Sequence, residues 1–333
     1  HYLRVLNYHR FDTGAWISTP MKSFKKQMDY LRNNEYNFLT VQQVISHVRS
    51  GRPFPKKSVL ITVDDGYKSI YTRARSYLKK HNIPVALHIY PKAQYRRYNS
   101  YISSDTVEKS ASNPLFHVGN HSYSHHSLLE KSGDSEVWRR EVVKSGHYIR
   151  DWAGEPPLTF AVPYGNYDHQ MVQRLTRRYP LVFSSIPEVV AASDTTQPIG
   201  RFMIDRSIDM RRFKDMLAKI PLDVQFPLKD GRYYETIPDT LTFTMKHGGD
   251  INPDLVNLFL NGQNLTSKVK ATDTGTFRVT IPDKVIDSWN QLLMNAFDRS
   301  EDRYRLFSVA FIYTGDKQGT KSESDTGTMK TNK

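Results

Sequence analysis

Apolar and polar positions repeat along this chain with two different periods, and the change from one to the other divides it. Leu3–Tyr8 is a short apolar run that predicts a buried strand. Pro20 opens a helical pattern through Arg32 with Phe24, Met28 and Leu31 on one side. Thr40 is placed to cap a second helix over Val41–Arg49, which Gly51 ends. Ser58–Val63 is a β-branched apolar run, followed by a turn at Asp64-Asp65-Gly66 and a helix over Ser69–His81. Further strands are expected at Val85–Ile89, Phe116–Gly119, Thr159–Val162, Leu181–Ser184 and Ile199–Ile204. Helices are expected near Asp105–Lys109, from Asp134 to about Trp152, over Asp168–Arg178 and over Met210–Ala218. Strand and helix alternate, which predicts an α/β architecture with a mostly parallel sheet, either an open sheet or a barrel.

The pattern changes near Pro221, and from Tyr233 onward the helical periodicity disappears. Leu241–Met245, Leu255–Leu260, Thr276–Ile281, Gln291–Phe297 and Phe307–Tyr313 read as short strands. Turn signals separate them, among them Asn261-Gly262, a candidate two-residue hairpin. The expected organisation is an α/β domain over residues 1–224, a small all-β sandwich over 225–315, and a disordered polar tail over 316–333.

Chemistry concentrates at the predicted strand ends, where α/β folds build their sites. Asp64 and Asp65 are adjacent carboxylates there, an arrangement that is costly unless a cation or protons offset the repulsion. The same Asp-Asp-Gly is also good turn chemistry. His121 and His125 follow the next-but-one strand at a spacing of four, which on a helix sets both imidazoles on one face. His126 points elsewhere on such a helix and reads as a neighbouring or surface residue. Two imidazoles and one carboxylate leave coordination positions open for water and substrate, the arrangement of a hydrolytic centre. Val162-Pro163-Tyr164-Gly165 closes a third strand, where a backbone N–H can stabilise an oxyanion. Taken alone, Pro-Tyr-Gly is a commonplace turn.

Together these segments resemble the NodB-homology polysaccharide deacetylases, carbohydrate esterase family 4. The first family motif, Thr-Phe-Asp-Asp-Gly, stands here as Thr62-Val63-Asp64-Asp65-Gly66. The second, His-Ser/Thr-x-x-His, is His121-Ser122-Tyr123-Ser124-His125. The third, Arg-x-Pro-Tyr-Gly, is Ala161-Val162-Pro163-Tyr164-Gly165. The resemblance covers about residues 1–220 and implies a distorted (β/α) barrel. It also implies Asp64 as general base and Asp65, His121 and His125 as ligands of one divalent metal. The Tyr164 backbone N–H would hold the oxyanion, and Pro163, Gly165, Tyr67 and Tyr123 are the residues expected to contact substrate.

The sequence departs from the family in two places. Ala161 replaces the motif-three Arg, so the usual partner of the base is expected to be missing. No Leu-x-His follows the last strand, and that His is the general acid in most of the family. The poly-β-1,6-N-acetylglucosamine deacetylase branch, of PgaB and IcaB type, takes its equivalent His from the first strand. Asn7-Tyr8-His9 stands at that place here, which makes His9 the expected general acid.

Composition narrows the remaining choices. The 333 residues contain no Cys, which excludes disulfides and thiolate chemistry. Two His and one carboxylate suit Zn²⁺, with Ni²⁺, Co²⁺ and Fe²⁺ left open. The formal net charge of +13 raises an alternative, binding of nucleic acid or another polyanion. No dense Lys/Arg run or nucleic-acid motif accompanies that charge, so no nucleic-acid partner is expected. The expected partner is an N-acetylglucosamine polysaccharide, with deacetylation of peptidoglycan or chitin oligosaccharide as the second enzymatic reading. A third is a non-catalytic polysaccharide-binding protein on the same fold. The chain opens at His1 on a strand-like run without an initiating Met. A signal peptide or lipid anchor is therefore expected to have been removed, giving a secreted, periplasmic or cell-surface protein. It is expected to be monomeric, with the cell surface or an export machinery as a further associate.

Overall fold

The computed structural model describes residues 1–131, 133–192, 197–246 and 248–315. The tail expected over 316–333 lies outside the described residues. In chain order the first part comprises β1 (Tyr2–Tyr8), α1 (Met21–Asn33), β2 (Asn37–Phe38), α2 (Val41–Ser50) and β3 (Ser58–Val63). A π-helical turn at Ile70–Ala74 then leads into α3 (Arg75–Lys80), followed by β4 (Val85–Ile89), α4 (Pro91–Tyr95), α5 (Ser104–Ala111) and β5 (Phe116–Asn120). Next come α6 (Ser135–Trp138), a second π-helical stretch at Arg139–Lys144, α7 (Ser145–Ala153), β6 (Thr159–Ala161) and α8 (His169–Thr176). β7 (Leu181–Phe183), β8 (Val189–Ala191), β9 (Phe202–Met203) and α9 (Met210–Ala218) complete this part.

The strands run β7-β6-β5-β4-β3-β1-β8, with β2 beside β3 and β9 beside β1. Neighbours from β7 to β1 are parallel, and β8 lies antiparallel to β1. The sheet curls into an incompletely closed barrel of NodB type. β3, β4 and β5 are buried on both faces, which is why they read as unbroken apolar runs. One parity of side chains, including Val59, Ile61, Val63 and Leu87, packs under Phe24, Met28 and Leu31 of α1 and Phe213 of α9. The other parity, including Leu60 and Ala86, meets Val41, Val44 and Val48 of α2. Thr40 caps α2 with a reciprocal bond pair to Gln43, and Gly51 ends it at φ 65°.

Two differences from the sequence pattern have local causes. The strand expected over Ile199–Ile204 shrinks to Phe202–Met203, because the Arg201 N–H bonds the Ile186 carbonyl instead of a neighbouring strand. β8 spans only three residues, too few to carry a period.

After α9 the chain becomes all-β. It comprises β10 (Ile220–Pro221), β11 (Val224–Gln225), β12 (Arg232–Tyr234), β13 (Thr240–Met245), β14 (Ile251–Leu260) and β15 (Gln263–Asn264). β16 (Val269–Asp273), β17 (Thr276–Thr280), β18 (Trp289–Asp298) and β19 (Arg303–Tyr313) follow. One sheet orders β10-β19-β18-β14-β15, with β12 on β19; the other orders β11-β13-β17-β16. Phe243 and Val279 of the second sheet share one core with Leu258, Met294 and Phe311 of the first. Asn261 and Gly262 turn β14 into β15 with φ of 50° and 78°, both left-handed as a two-residue hairpin of the mirror-image kind requires.

Candidate functional site

The Asp64 N–H bonds the Tyr8 carbonyl at 2.9 Å, extending the β1–β3 ladder one residue past Val63. Asp65 then turns left-handed, at φ 71°, and Gly66 follows at 74°. That reversal sends the two adjacent carboxylates to different neighbours.

Asp64 is buried and held from two sides. Arg201 donates from Nη1 to Oδ1 at 2.9 Å and from Nη2 to Oδ2 at 2.7 Å, a bidentate fork. The Arg201 side chain is wholly buried and also donates from Nε to the Ser184 carbonyl. His88 Nδ1 lies 2.9 Å from Asp64 Oδ1, and its Nε2 lies 3.0 Å from Thr159 Oγ1. Burial pushes His88 down to about 4, so the ring is neutral at pH 7; Nδ1–H donates to Asp64 and Nε2 accepts from Thr159. Gly119 leaves room for this ring, since a Cβ there would lie 2.4 Å from it. Burial alone would raise the Asp64 carboxyl, but the Arg201 guanidinium, then His121 and His88, hold it well below the usual carboxylate range.

The expectation that Ala161 leaves this carboxylate without an Arg partner is therefore corrected: Arg201, from a different strand end, supplies it. Sequence reading missed both Arg201 and His88. The available signal was a charged or polar residue inside an apolar strand run, as in Ile199-Gly200-Arg201-Phe202 and Leu87-His88-Ile89.

Asp65 faces the histidines. Its Oδ1 lies 3.5 Å from His121 Nε2 and 3.2 Å from His125 Nε2. One donor atom from each of the three residues lies within 4.8 Å of the others. His121 Nδ1–H donates to the Ala161 carbonyl at 2.7 Å, which leaves Nε2 as the nitrogen facing Asp65. Burial lowers the ring's pKa, but Asp64, Asp65 and that carbonyl together raise it above the usual imidazole value. Burial pushes His125 down to about 4, leaving it neutral and able to ligate. Asp65 Oδ1 is buried without a hydrogen-bond partner, although a carboxylate oxygen there needs one. This donor set fits a divalent cation.

The histidines do not reach this arrangement on a helix, as their spacing of four predicts. Residues 121–128 form a loop in which Ser122 (φ 61°) and His125 (φ 59°) are left-handed. Glu141, buried in the second π-helical stretch, anchors that loop by accepting from the Ser124 N–H at 2.9 Å and from Ser124 Oγ.

The other expected residues divide. His9, just past β1, feels the charges of Asp64, Asp65, Arg201 and His121, and its buried Nδ1 has no partner. Burial lowers its pKa, more than the two carboxylates raise it. Pro163 and Gly165 are buried, while the Tyr164 ring is 62% exposed and packs 4.8 Å from the His125 ring. Tyr67 stacks on Tyr101 at 4.7 Å beneath Arg10. The Tyr123 ring instead joins Tyr148, itself beside Tyr95 and Trp152, in a separate row. His126 is exposed.

Residues 51–179 match the family model described as polysaccharide deacetylase. The poly-beta-1,6-N-acetyl-D-glucosamine N-deacetylase of Staphylococcus epidermidis is 25% identical over 167 residues, 47% of this chain and 57% of that protein. The Escherichia coli protein of the same name is 20% identical over 260 residues, 65% of this chain and 38% of that protein. The chain thus spans little more than half the length of the first relative and less of the second. Among solved structures, IcaB from Ammonifex degensii superposes with a TM-score of 0.58 at 25% identity, over 65% of this chain and 96% of that one. The Streptococcus pyogenes deacetylase PplD, in complex with acetate, shares the fold, with a TM-score of 0.59 at 17% identity over 65% of this chain and 98% of that one.

Proposed function

We propose that this chain, which carries a polysaccharide deacetylase domain of the NodB type, hydrolyses N-acetyl groups on poly-β-1,6-N-acetylglucosamine in a metal-dependent reaction. The observation that carries the reading is the division of labour between adjacent carboxylates. Asp64 is clamped by Arg201 and His88, while Asp65 converges with His121 and His125. A divalent cation at Asp65, His121 and His125, Zn²⁺ by donor type, would supply the Lewis acidity that activates water and polarises the acetamide carbonyl. Asp64 accepts the proton of the attacking water. The Tyr164 N–H donates to the oxygen that gains charge at the carbonyl. His9 delivers a proton to the departing nitrogen, so the products are acetate and a glucosamine amine. The exposed Tyr164 ring, with Tyr67 and Tyr101, offers flat faces to the sugar.

The β-1,6 linkage is favoured by the names of the relatives and by the place of His9 on the first strand. Such a polymer belongs to the biofilm matrix, which sets the work outside the cytoplasm. The test is free-amine release from poly-β-1,6-N-acetylglucosamine oligomers by chelated and metal-restored protein. The expected result is release only with metal, with Asp64→Asn inactive and His9→Ala slowed by roughly 10²-fold. Release from chitin or peptidoglycan fragments alone would move the substrate, and binding without release from any of them would favour a non-catalytic role.

A further inference from the structure

Tyr164 and Gly165 are consecutive left-handed residues, at φ 60° and 76°, and only one of them is glycine. A left-handed non-glycine residue is strained and persists only where its surroundings over-determine it. On one side the surroundings are the barrel, where a Cβ on Gly165 would lie 2.7 Å from the Ser185 nitrogen. On the other side they are the all-β part. Trp289 Nε1 on β18 donates to the Tyr167 carbonyl at 3.3 Å. Tyr167 is buried and donates its hydroxyl to both Asp230 oxygens at 2.8 Å, while the Ala310 N–H of β19 donates to the same carboxylate. Tyr233 on β12 donates its hydroxyl to Asp168 Oδ2 at 2.7 Å. The His169 N–H donates to the Gly231 carbonyl at 2.9 Å.

The next loop is held in the same way. Ser308 Oγ on β19 donates to the Pro187 carbonyl at 2.8 Å. That loop receives Arg201, whose Nε bonds Ser184 and whose backbone N–H bonds Ile186.

We propose that the C-terminal β-strands are a positioning element of the catalytic site, in which Trp289, Asp230, Gly231 and Tyr233 brace the segment from Pro163 to the first residue of α8, His169, and hold the Tyr164 N–H in place. These residues touch no reacting atom; they act through the loop. Gly231 is the sharpest probe. It is left-handed at φ 65°, and a Cβ added there would lie 2.8 Å from the His169 nitrogen. Gly231→Ala must therefore push the loop and strand apart.

The inference rests on the deacetylase reading only in its rate arm. The experiment uses the full chain and measures amide hydrogen exchange across 163–169, metal affinity, KM and kcat for Gly231→Ala, Trp289→Phe and Tyr233→Phe. Val279→Ala, in the sandwich core away from the loop, is the control for general destabilisation. In the Gly231 variant, exchange over 163–169 accelerates and kcat falls about tenfold or more, while KM and metal affinity stay within about twofold. Trp289→Phe and Tyr233→Phe each delete one bond, move the same quantities less, and carry the test if Gly231→Ala fails to fold. Unchanged exchange over 163–169 in these variants overturns the proposal, as does an equal effect from Val279→Ala. If the wild type deacetylates nothing, the deacetylase reading fails and the exchange arm still decides whether the brace exists.

Discussion

A carboxylate as buried as Asp64 stays anionic because Arg201 and His88 face it directly, with His121 slightly farther off. Arg201→Lys exchanges a planar fork for a point charge. Turnover should drop by about 10²-fold with metal binding intact, since the reacting groups lose their alignment. Arg201→Ala leaves the anion unpaired and should also destabilise the chain by about 3–5 kcal/mol, readable by denaturant unfolding. His117 poses the opposite case. It lines a cavity of about 350 Å³ with neither ring nitrogen hydrogen-bonded, and burial pushes its pKa to about 3. The fold binds it neutral, whereas the unfolded chain takes up a proton below about 6.5. Its contribution is thus fully present above about 6.5 and is lost as pH falls toward 3, by at most about 1.4 kcal/mol per pH unit. His117→Phe should flatten that part of the profile, so its stability advantage over wild type should be larger at pH 5 than at pH 7. The motif residues were legible because they cluster at predicted strand ends. Arg201 was marked only as a charged residue inside an apolar run; its partner, Asp64, lies 137 positions away, and nothing in the sequence names it.

Among the elements, the loop over 121–128 departs most from its sequence pattern. A spacing of four is as compatible with two left-handed residues in a loop as with a helix, and here Glu141 fixes the loop from a π-helical stretch. Groups bonded to a ligating side chain commonly account for about 10- to 100-fold in metal affinity, and Glu141 stands one step further out, on Ser124 beside His125, so the low end of that range applies. Glu141→Ala should weaken metal binding by that order, and Glu141→Gln should recover part of it because its amide oxygen still accepts from Ser124. A chelator-competition titration measures both. The Asn261-Gly262 hairpin was readable from two residues because only a narrow set tolerates two positive φ values in succession. The adjacent β16 was not, since its exposed Lys270-Ala271-Thr272 stretch carries no apolar alternation.

Across the whole molecule, the change of hydrophobic period near Pro221 was visible, but not the depth of contact between what lies on either side. Ala310 packs in one cluster with Val162, Tyr167 and Ile186, and β19 donates across the junction from Ser308 Oγ to the Pro187 carbonyl. The net charge of +13 has a consequence for turnover. Under the proposed reaction, each acetyl group removed would add a cationic amine to the polymer, so partly deacetylated chains should bind more weakly than the starting material. The difference should shrink as salt is raised past about 0.15 M, where the screening length is about 8 Å. Binding isotherms on polymers of graded acetylation, at two salt concentrations, measure it. The long reach from Asp64 to Arg201, and onward to the brace at residues 230–310, also sets a timetable for synthesis. A polypeptide emerging from a ribosome or a translocation channel presents both aspartates and both histidines long before Arg201 exists to neutralise the first. On the proposed reading, a chain terminated before Arg201 and β19 would carry the candidate metal ligands yet lack both the fork on Asp64 and the brace, and would be delivered inert.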